Sequence, residues 1–264
     1  GVTNQELAGA NLYTNVGLRY ARAINNKFAF ELNFSALFGE DWWADDQSHY
    51  IGPADVANKD ALLSKPRNAT DFVATNTFAD QIGASFDLDG DGTEETRINR
   101  TGIKEIDLLD YNTKAYKANI GLHYKITDKI EAIYDYKFQI ADAILRHTTV
   151  YPLRGLTMQH HKAELKGDNF FLRGYYSYED AGDSYAGGFA GAFIQEGLKS
   201  TPDWLGEYLG MLTGAITAPG YSAGSHDDAR AFADRDIPGP GTPQFEAVKE
   251  AVLSNPCLLY TSPS

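Results

Sequence analysis

The residues best suited to bind a metal ion lie in one short acidic segment, DLDGDGTEE at residues 87–95. Carboxylates at alternate positions can converge on one hard cation, and the glycines allow the sharp bend of such a loop. The segment matches the first half of an EF-hand loop, but Ile98 stands where that motif has its bidentate glutamate. The pattern predicts a weak calcium site, and an acidic turn without an ion is the alternative. The expected ligands are Asp87, Asp89, Asp91, Thr93 and Glu95.

Two adjacent histidines, His160 and His161, are the other candidates for metal binding. They lie in a segment with strand periodicity, where neighbouring side chains point to opposite faces, so we expect that they do not bind one ion together. The sequence contains no phosphate loop, dinucleotide fingerprint or zinc-ligand spacing. We therefore predict that the protein is not an enzyme and requires no cofactor besides the calcium ion considered above.

The elements that position these residues are indicated by segments in which apolar and polar side chains alternate. A period of two is that of a β-strand. In the second segment one face is aromatic and aliphatic, and the other carries Glu31, Asn33 and Ser35. We predict three hairpins with short turns, formed by strands at residues 12–23, 28–39, 114–124, 130–139, 157–166 and 170–179.

Much longer segments separate or follow the hairpins, at residues 40–112, 141–155 and 180–256. Short turns at one end, long loops at the other and an aromatic apolar face are typical of transmembrane β-barrels. We predict an all-β fold, a partial antiparallel transmembrane β-barrel of about six strands, with the turns in the periplasm and the loops outside the cell. A soluble β-sandwich also alternates, but loops of this length are unusual there.

The loops are expected to contain short helices that form a small cap. Thr201 followed by Pro202 is typical of a helix start, and Thr242 followed by Pro243 repeats it. A shorter helix is predicted at residues 225–233. Two roles are open for this cap. It either packs against the rest of the protein, or it serves as a lid or a surface for a partner.

Charged residues on the polar faces of the strands are predicted to line the interior of the barrel. There they would contact a plug domain or a passing solute. The candidates are Lys117, Glu131, Asp135, Lys137 and Arg173. Trp42 and Trp43, at the end of a predicted strand, are interpreted either as membrane-interface anchors or as a stacking platform for a sugar.

Composition narrows the classes of protein further. The chain has 264 residues and a net charge of -13, which argues against nucleic-acid binding because that requires a basic surface. It has no apolar run near the ~20 residues that a membrane helix needs. It does not begin with Met, and we interpret residues 1–256 as an internal piece of a longer chain. Residues 257–264, which include the only cysteine, resemble the translation of a sequencing adapter.

Several stretches together resemble TonB-dependent outer-membrane receptors, in particular the branch with a carboxypeptidase-like regulatory domain, which is related to SusC-like transporters. Each stretch is weakly specific alone, and as a set they cover nearly all of residues 1–256. The stretches are NLYTNVGLRYA at 11–21, KFAFELN at 27–33, MQHHKAELKG at 158–167, NFFLRGYY at 169–176, EDAG at 179–182 and PGPGTP at 238–243.

The resemblance implies active import of a scarce, bulky nutrient, such as a siderophore or an oligosaccharide, across the outer membrane of a Gram-negative bacterium. Such receptors form a barrel of about 22 strands around a plug. The implied partners are outer-membrane lipids, a TonB complex that contacts an N-terminal part not included here, and a surface lipoprotein. The alternatives are a passive porin-like or adhesin barrel, a barrel enzyme, and a soluble calcium-stabilised surface-binding β-domain.

Overall fold

The computed structural model describes residues 12–43, 45–50, 57–88, 90–92, 94, 96–146 and 150–255. The chain divides into two compact units. In chain order the elements are β1 (Thr14–Ala23), β2 (Phe28–Glu40), α1 (Lys59–Leu63), β3 (Thr77–Phe78), β4 (Gly83–Phe86), β5 (Thr96–Asn99), β6 (Ile103–Lys104), α2 (Glu105–Leu108), β7 (Asn112–Lys125), β8 (Ile130–Arg146), β9 (Val150–Gly167), β10 (Phe171–Asp180), α3 (Gly187–Leu198), α4 (Thr201–Leu212), α5 (His226–Asp234) and α6 (Pro243–Leu253).

One unit is an open antiparallel sheet of six strands in the order β1-β2-β7-β8-β9-β10. Each strand pairs with the next sheet strand along the chain, so the sheet is a simple meander. The six strands of this sheet correspond to the six predicted ones. Four of them match the predicted bounds to within two residues at each end, whereas β8 ends seven residues later and β9 begins seven residues earlier than predicted. Alternating side chains stabilise this arrangement because each face of the sheet then has a uniform chemical character.

The segment at residues 141–155, which was predicted to be a long loop, is mostly strand. β8 continues to Arg146 and β9 begins at Val150. A register shift between Ala141 and Ala143 interrupts the alternation there. A bulge of this kind adds an unpaired residue and changes which side chains share a face, so the period of two is no longer visible in the sequence.

The first turn is held by the side chain of Asn25. Its Oδ1 accepts hydrogen bonds from the backbone nitrogens of Lys27 at 2.8 Å and Phe28 at 2.9 Å. The backbone nitrogen of Ile24 also donates to the carbonyl of Phe28 at 2.8 Å. Asparagine satisfies backbone donors in this way at tight turns, which explains why a short polar segment suffices to reverse the chain.

The other unit combines the two long segments that separate or follow the hairpins, Trp43–Leu109 and Gly187–Leu258. It contains two small sheets, β3 with β6 and β4 with β5, together with the helices α1 to α6, and we refer to it as the helical unit. A hydrophobic cluster joins the two segments, because Ile98 from the first packs with α4 and α5 from the second. The buried residues of this cluster are Ile98, Trp204, Tyr208, Met211, Ala229, Phe232 and Ala233.

Three of the helices begin close to where the sequence predicts. Thr242 is the N-cap of α6, and its Oγ1 accepts a hydrogen bond from the backbone nitrogen of Phe245. For α4 the N-cap is Ser200 and not Thr201, because the Ser200 hydroxyl accepts from the backbone nitrogen of Asp203. Ser225 caps α5 in the same manner. α3 was not predicted, since its glycines are poor helix formers.

Candidate functional site

The six-stranded sheet has one polar face and one apolar face. Directly paired residues in an antiparallel sheet share a face, whereas neighbours along a strand point to opposite faces. The pairing therefore arranges side chains in rows that cross all six strands. One polar row consists of Arg19, Asn33, Asn119, Lys137, His160 and Ser177. The next row on that face consists of Gly17, Ser35, Lys117, Gln139, Met158 and Glu179.

These two polar rows line a cavity of about 1320 Å³. Every residue of both rows contributes to the wall of the cavity. On each strand, the residue between the two rows contributes as well. The residues in between direct their side chains to the other face, so the cavity lies on the polar face. Because the first and the last strand both line this cavity, the sheet is curved with its polar face on the inside.

Nearer the turns, the polar face is crossed by a chain of ion pairs. Lys162 lies between two carboxylates, with its Nζ 2.9 Å from Asp135 and 3.2 Å from Glu164. Arg173 continues the chain with its Nε 2.9 Å from Glu164. Each of these groups is paired across strands, so this part of the face is electrically self-compensated and holds the strands in register.

The five residues predicted to line the interior all lie on this concave polar face. Lys117 and Lys137 are in the wall of the cavity. Asp135 and Arg173 belong to the chain of ion pairs, and Glu131 lies 3.0 Å from the His123 ring. The structure therefore brings the five onto one surface.

Lys162 and Glu164, which connect this ion-pair chain, were not among the residues predicted to line the interior. Their part in it depends on the pairing of β9 with β8 and β10, which positions Lys162 opposite Asp135 and Glu164 opposite Arg173. Glu164 is buried, and burial of a carboxylate requires a partner. The sequence does contain one signal for these ion pairs. Charged residues occur at every second position, as Lys162, Glu164 and Lys166, in a segment that lies between more apolar strands.

The opposite face of the same sheet is covered with large apolar side chains that remain exposed. Leu18 is 68% exposed, Phe34 is 46% exposed and Leu172 is 71% exposed. An exposed apolar surface of this extent indicates contact with a partner or a membrane. Other exposed members of the face are Tyr20, Leu32, Phe38, Tyr116, Ile120, Leu122, Tyr124, Tyr134, Tyr176 and Tyr178.

The adjacent histidines point to opposite faces, as the strand period predicts. His160 forms a hydrogen bond with the Ser177 hydroxyl at 2.8 Å on the polar face. His161 forms one with the Tyr134 hydroxyl at 2.8 Å, and its ring lies 4.7 Å from the ring of Tyr136. The two imidazoles therefore serve separate hydrogen-bonding environments.

In the acidic segment, the side chain of Asp87 binds two backbone nitrogens. Its two carboxylate oxygens accept hydrogen bonds from the backbone nitrogens of Gly90 at 2.6 Å and Gly92 at 2.8 Å. Three of the five predicted ligands, Asp89, Thr93 and Glu95, lie outside the described residues. Within the described part of the chain, no three histidine, cysteine or carboxylate side chains come together as metal ligands would. The calcium site therefore stays a prediction.

At the end of β2, the ring of Trp42 carries a cation above it. The guanidinium carbon of Arg146 lies 4.9 Å from the ring centroid, and half of the Trp42 surface is still exposed. Arginine is attracted to the electron-rich face of an indole, which fixes the orientation of the ring. The contact occupies one face of the ring, so stacking of a sugar would have to use the other.

Asp80 and Arg100 are among the buried charged groups of the helical unit. Asp80 accepts a hydrogen bond from the backbone nitrogen of Ala74 at 2.6 Å, and its burial raises the pKa of the carboxyl to about 6. Arg100 is 1% exposed, and its Nη1 lies 3.0 Å from the Thr201 hydroxyl. Burial lowers the pKa of this guanidinium, and Glu196 opposes that effect. Both groups are buried in this unit.

A comparison with known protein families, curated proteins and solved structures finds no significant match to this chain.

Among the described residues, no helix has both the length and the apolar composition required to cross a membrane.

Residues 257–264, with their interpretation as an adapter translation, lie outside the described part of the chain.

Proposed function

We propose that the sheet is a section of a transmembrane β-barrel in an outer membrane and that its apolar face contacts lipid. The observation that carries this proposal is the pairing of an exposed apolar face with a polar cavity on the opposite side of one curved sheet. A water-filled interior and a lipid-facing exterior require this division of side chains. In water alone, the exposed Leu18, Phe34 and Leu172 would instead favour aggregation.

Strand length supports the same assignment. A strand of about 9–11 residues, tilted by about 45°, crosses the hydrocarbon core of a bilayer. β1 and β10 each have 10 residues, and β2 and β7 have 13 and 14. The pair β8 and β9, with 17 and 18 residues, is long enough to project beyond the membrane.

The two edges of the sheet indicate that further strands complete the barrel. β1 and β10 each pair with one neighbour, so each has a row of backbone groups without a strand partner among the described residues. Backbone groups exposed to hydrocarbon cost several kcal/mol each, by the general transfer scale, and open edges do not occur in the bilayer core. We infer that strands outside the described residues pair with both edges.

As the function of this barrel we propose TonB-dependent import of a bulky nutrient. The support is the resemblance of the strand and loop sequences to that receptor class, together with the polar cavity, whose volume suits a solute larger than an ion. Energy would come from a TonB complex that contacts a segment outside this chain, and the helical unit would be available to a surface lipoprotein. A passive barrel would use the same cavity and would differ only in that transport through it requires no energy.

The first test is where the protein resides in a Gram-negative host. We expect it in the outer-membrane fraction, resistant to carbonate extraction, with a folded form that migrates faster than the heated form in a gel. Release as a soluble protein would refute the membrane proposal and favour a surface-binding β-domain.

A second test separates import from passive diffusion. Uptake of candidate nutrients is compared before and after addition of a protonophore, and in cells that lack TonB. Loss of uptake under both conditions supports energised import. Uptake that continues unchanged would identify a passive barrel.

A further inference from the structure

Several charges on the concave face are paired with one another. Towards the turns, Asp135, Lys162, Glu164 and Arg173 compensate one another. Arg19, in the cavity wall, is also paired, with its Nε 3.1 Å from Glu31. By contrast, the ammonium groups of Lys117 and Lys137 have no hydrogen-bond or ion-pair partner among the described residues, although both lie in the wall of the cavity.

The register brings these two lysines close together. Lys117 on β7 is paired with Gln139 on β8, and Lys137 is two residues along β8 from Gln139 on the same face. Diagonal neighbours of this kind have their Cα atoms about 7–8 Å apart, which is within reach of long side chains. Two cations at this separation repel each other unless an anion lies between them.

The carboxylate available within the cavity wall does not neutralise them. Glu179 is the single acidic residue among those that line the cavity. It lies in the same row as Lys117 but three strands away, a distance of about 14 Å at the usual spacing between strands. The centre of the cavity therefore has an excess of positive charge in a protein whose net charge is -13.

Polar side chains that donate hydrogen bonds surround the two lysines. Asn119 lies opposite Lys137, and Gln139 lies opposite Lys117. The amide nitrogen of Asn119 donates to the carbonyl of Tyr136 at 3.3 Å, which fixes its orientation in the wall. Two flexible ammonium groups beside amide donors form the kind of environment that binds carboxylate or phosphate oxygens.

We propose that Lys117 and Lys137 form a binding site for the carboxylate or phosphate group of a soluble anion inside the cavity. The role of this site in transport rests on the proposed function, since it would then select anionic nutrients on their way through the barrel. Binding itself depends only on the sheet and is measured separately from membrane location.

The test uses citrate and inorganic phosphate as probes. The protein, purified in detergent, is titrated by calorimetry at constant ionic strength set with sodium chloride. The double variant Lys117→Gln with Lys137→Gln is compared with a control that removes two turn lysines, Lys27→Gln with Lys129→Gln, and therefore changes the net charge equally. We expect the double cavity variant to lose at least tenfold in citrate affinity and the turn variant to bind as the unmodified protein does.

A third variant, Lys117→Arg with Lys137→Arg, retains both charges and should retain binding, which excludes loss of folding as the cause of the effect. Equal loss in the cavity and turn variants would mean that only net charge matters and would overturn the proposal. Absence of citrate and phosphate binding by the unmodified protein would also overturn it, since a polypeptide carboxylate would then be the better candidate for the partner of these lysines. A protein that binds citrate but is not found in the outer membrane would retain the anion site and refute the transport role.

Discussion

Arg173 on β10 and Glu164 on β9 face each other across the strand pair and form two parallel hydrogen bonds. The distances are 2.9 Å from Nε to Oε2 and 3.0 Å from Nη2 to Oε1. A guanidinium and a carboxylate in this bidentate arrangement specify both distance and orientation. Because a slip of one residue would move Arg173 to the apolar face, this pair helps to set the register of the last hairpin.

Replacement of Arg173 by glutamine should lower the resistance of the sheet to unfolding. Glu164, which is buried, would lose its bidentate partner and keep only Lys162. We expect a lower urea midpoint than for Lys129→Gln, which removes the same charge from a turn. The midpoint is read from the gel mobility of the folded form, and coincident midpoints for the two variants would contradict a role of the pair in stability.

A lysine at position 34 should destabilise the protein in a membrane, because Phe34 lies on the apolar face. A cationic side chain at the bilayer midplane costs about 2–4 kcal/mol. The matched control is Ser35→Lys, one residue along on the polar face. Reversible folding into lipid vesicles measures both variants, and a Phe34→Lys protein that inserts as well as Ser35→Lys would contradict the proposed orientation of the sheet.

Asp80 should make the helical unit less stable as pH rises, which is opposite to the usual effect of a carboxyl group. The pKa of its carboxyl is raised from 3.8 to about 6 in the folded protein, so between these values the folded state binds the proton more tightly than the unfolded state. This contribution to stability is present below about pH 4 and is lost as pH rises through about 6. By linkage, the loss is at most about 3 kcal/mol.

The comparison with Asp80→Asn isolates this effect from that of other carboxylates. The asparagine variant should be more stable than the unmodified protein at pH 7 and should lack the decline between pH 4 and 6. Thermal unfolding followed by tryptophan fluorescence measures both, since Trp204 is fully buried in the core of this unit. Parallel pH profiles for the two proteins would show that the carboxyl is not responsible.

The acidic loop should bind calcium weakly if the predicted ligands converge on an ion. Calcium at millimolar concentration would then raise the thermal midpoint of the protein, and a chelator would reverse the increase. The double variant Asp89→Asn with Asp91→Asn should lose this response, whereas magnesium at the same concentration should have little effect because it favours a smaller, more rigid site. A calcium response that survives both substitutions would place the ion elsewhere.

Much of the sheet was predictable from local pattern alone. The alternation of side chains in β1, β2 and β7 identifies the strands and divides polar from apolar faces, because the strand period depends only on backbone geometry. The extension of β8 beyond Ala141 was not predictable in this way, since the bulge there shifts the pattern.

The sequence by itself determined which side chains share a face, where the turns fall and where α4, α5 and α6 begin, because these features depend on neighbours along the chain. The tertiary structure decided which charges meet and which remain unpaired. Glu164 pairs with Arg173, whereas Lys117 and Lys137 have no carboxylate partner in the part of the chain that the structure describes, since contacts across strands depend on register. It also decided that Ile98 and Trp204, more than a hundred residues apart, share one core. Such packing arises from burial of apolar surface, which has no direction along the sequence and leaves no local pattern.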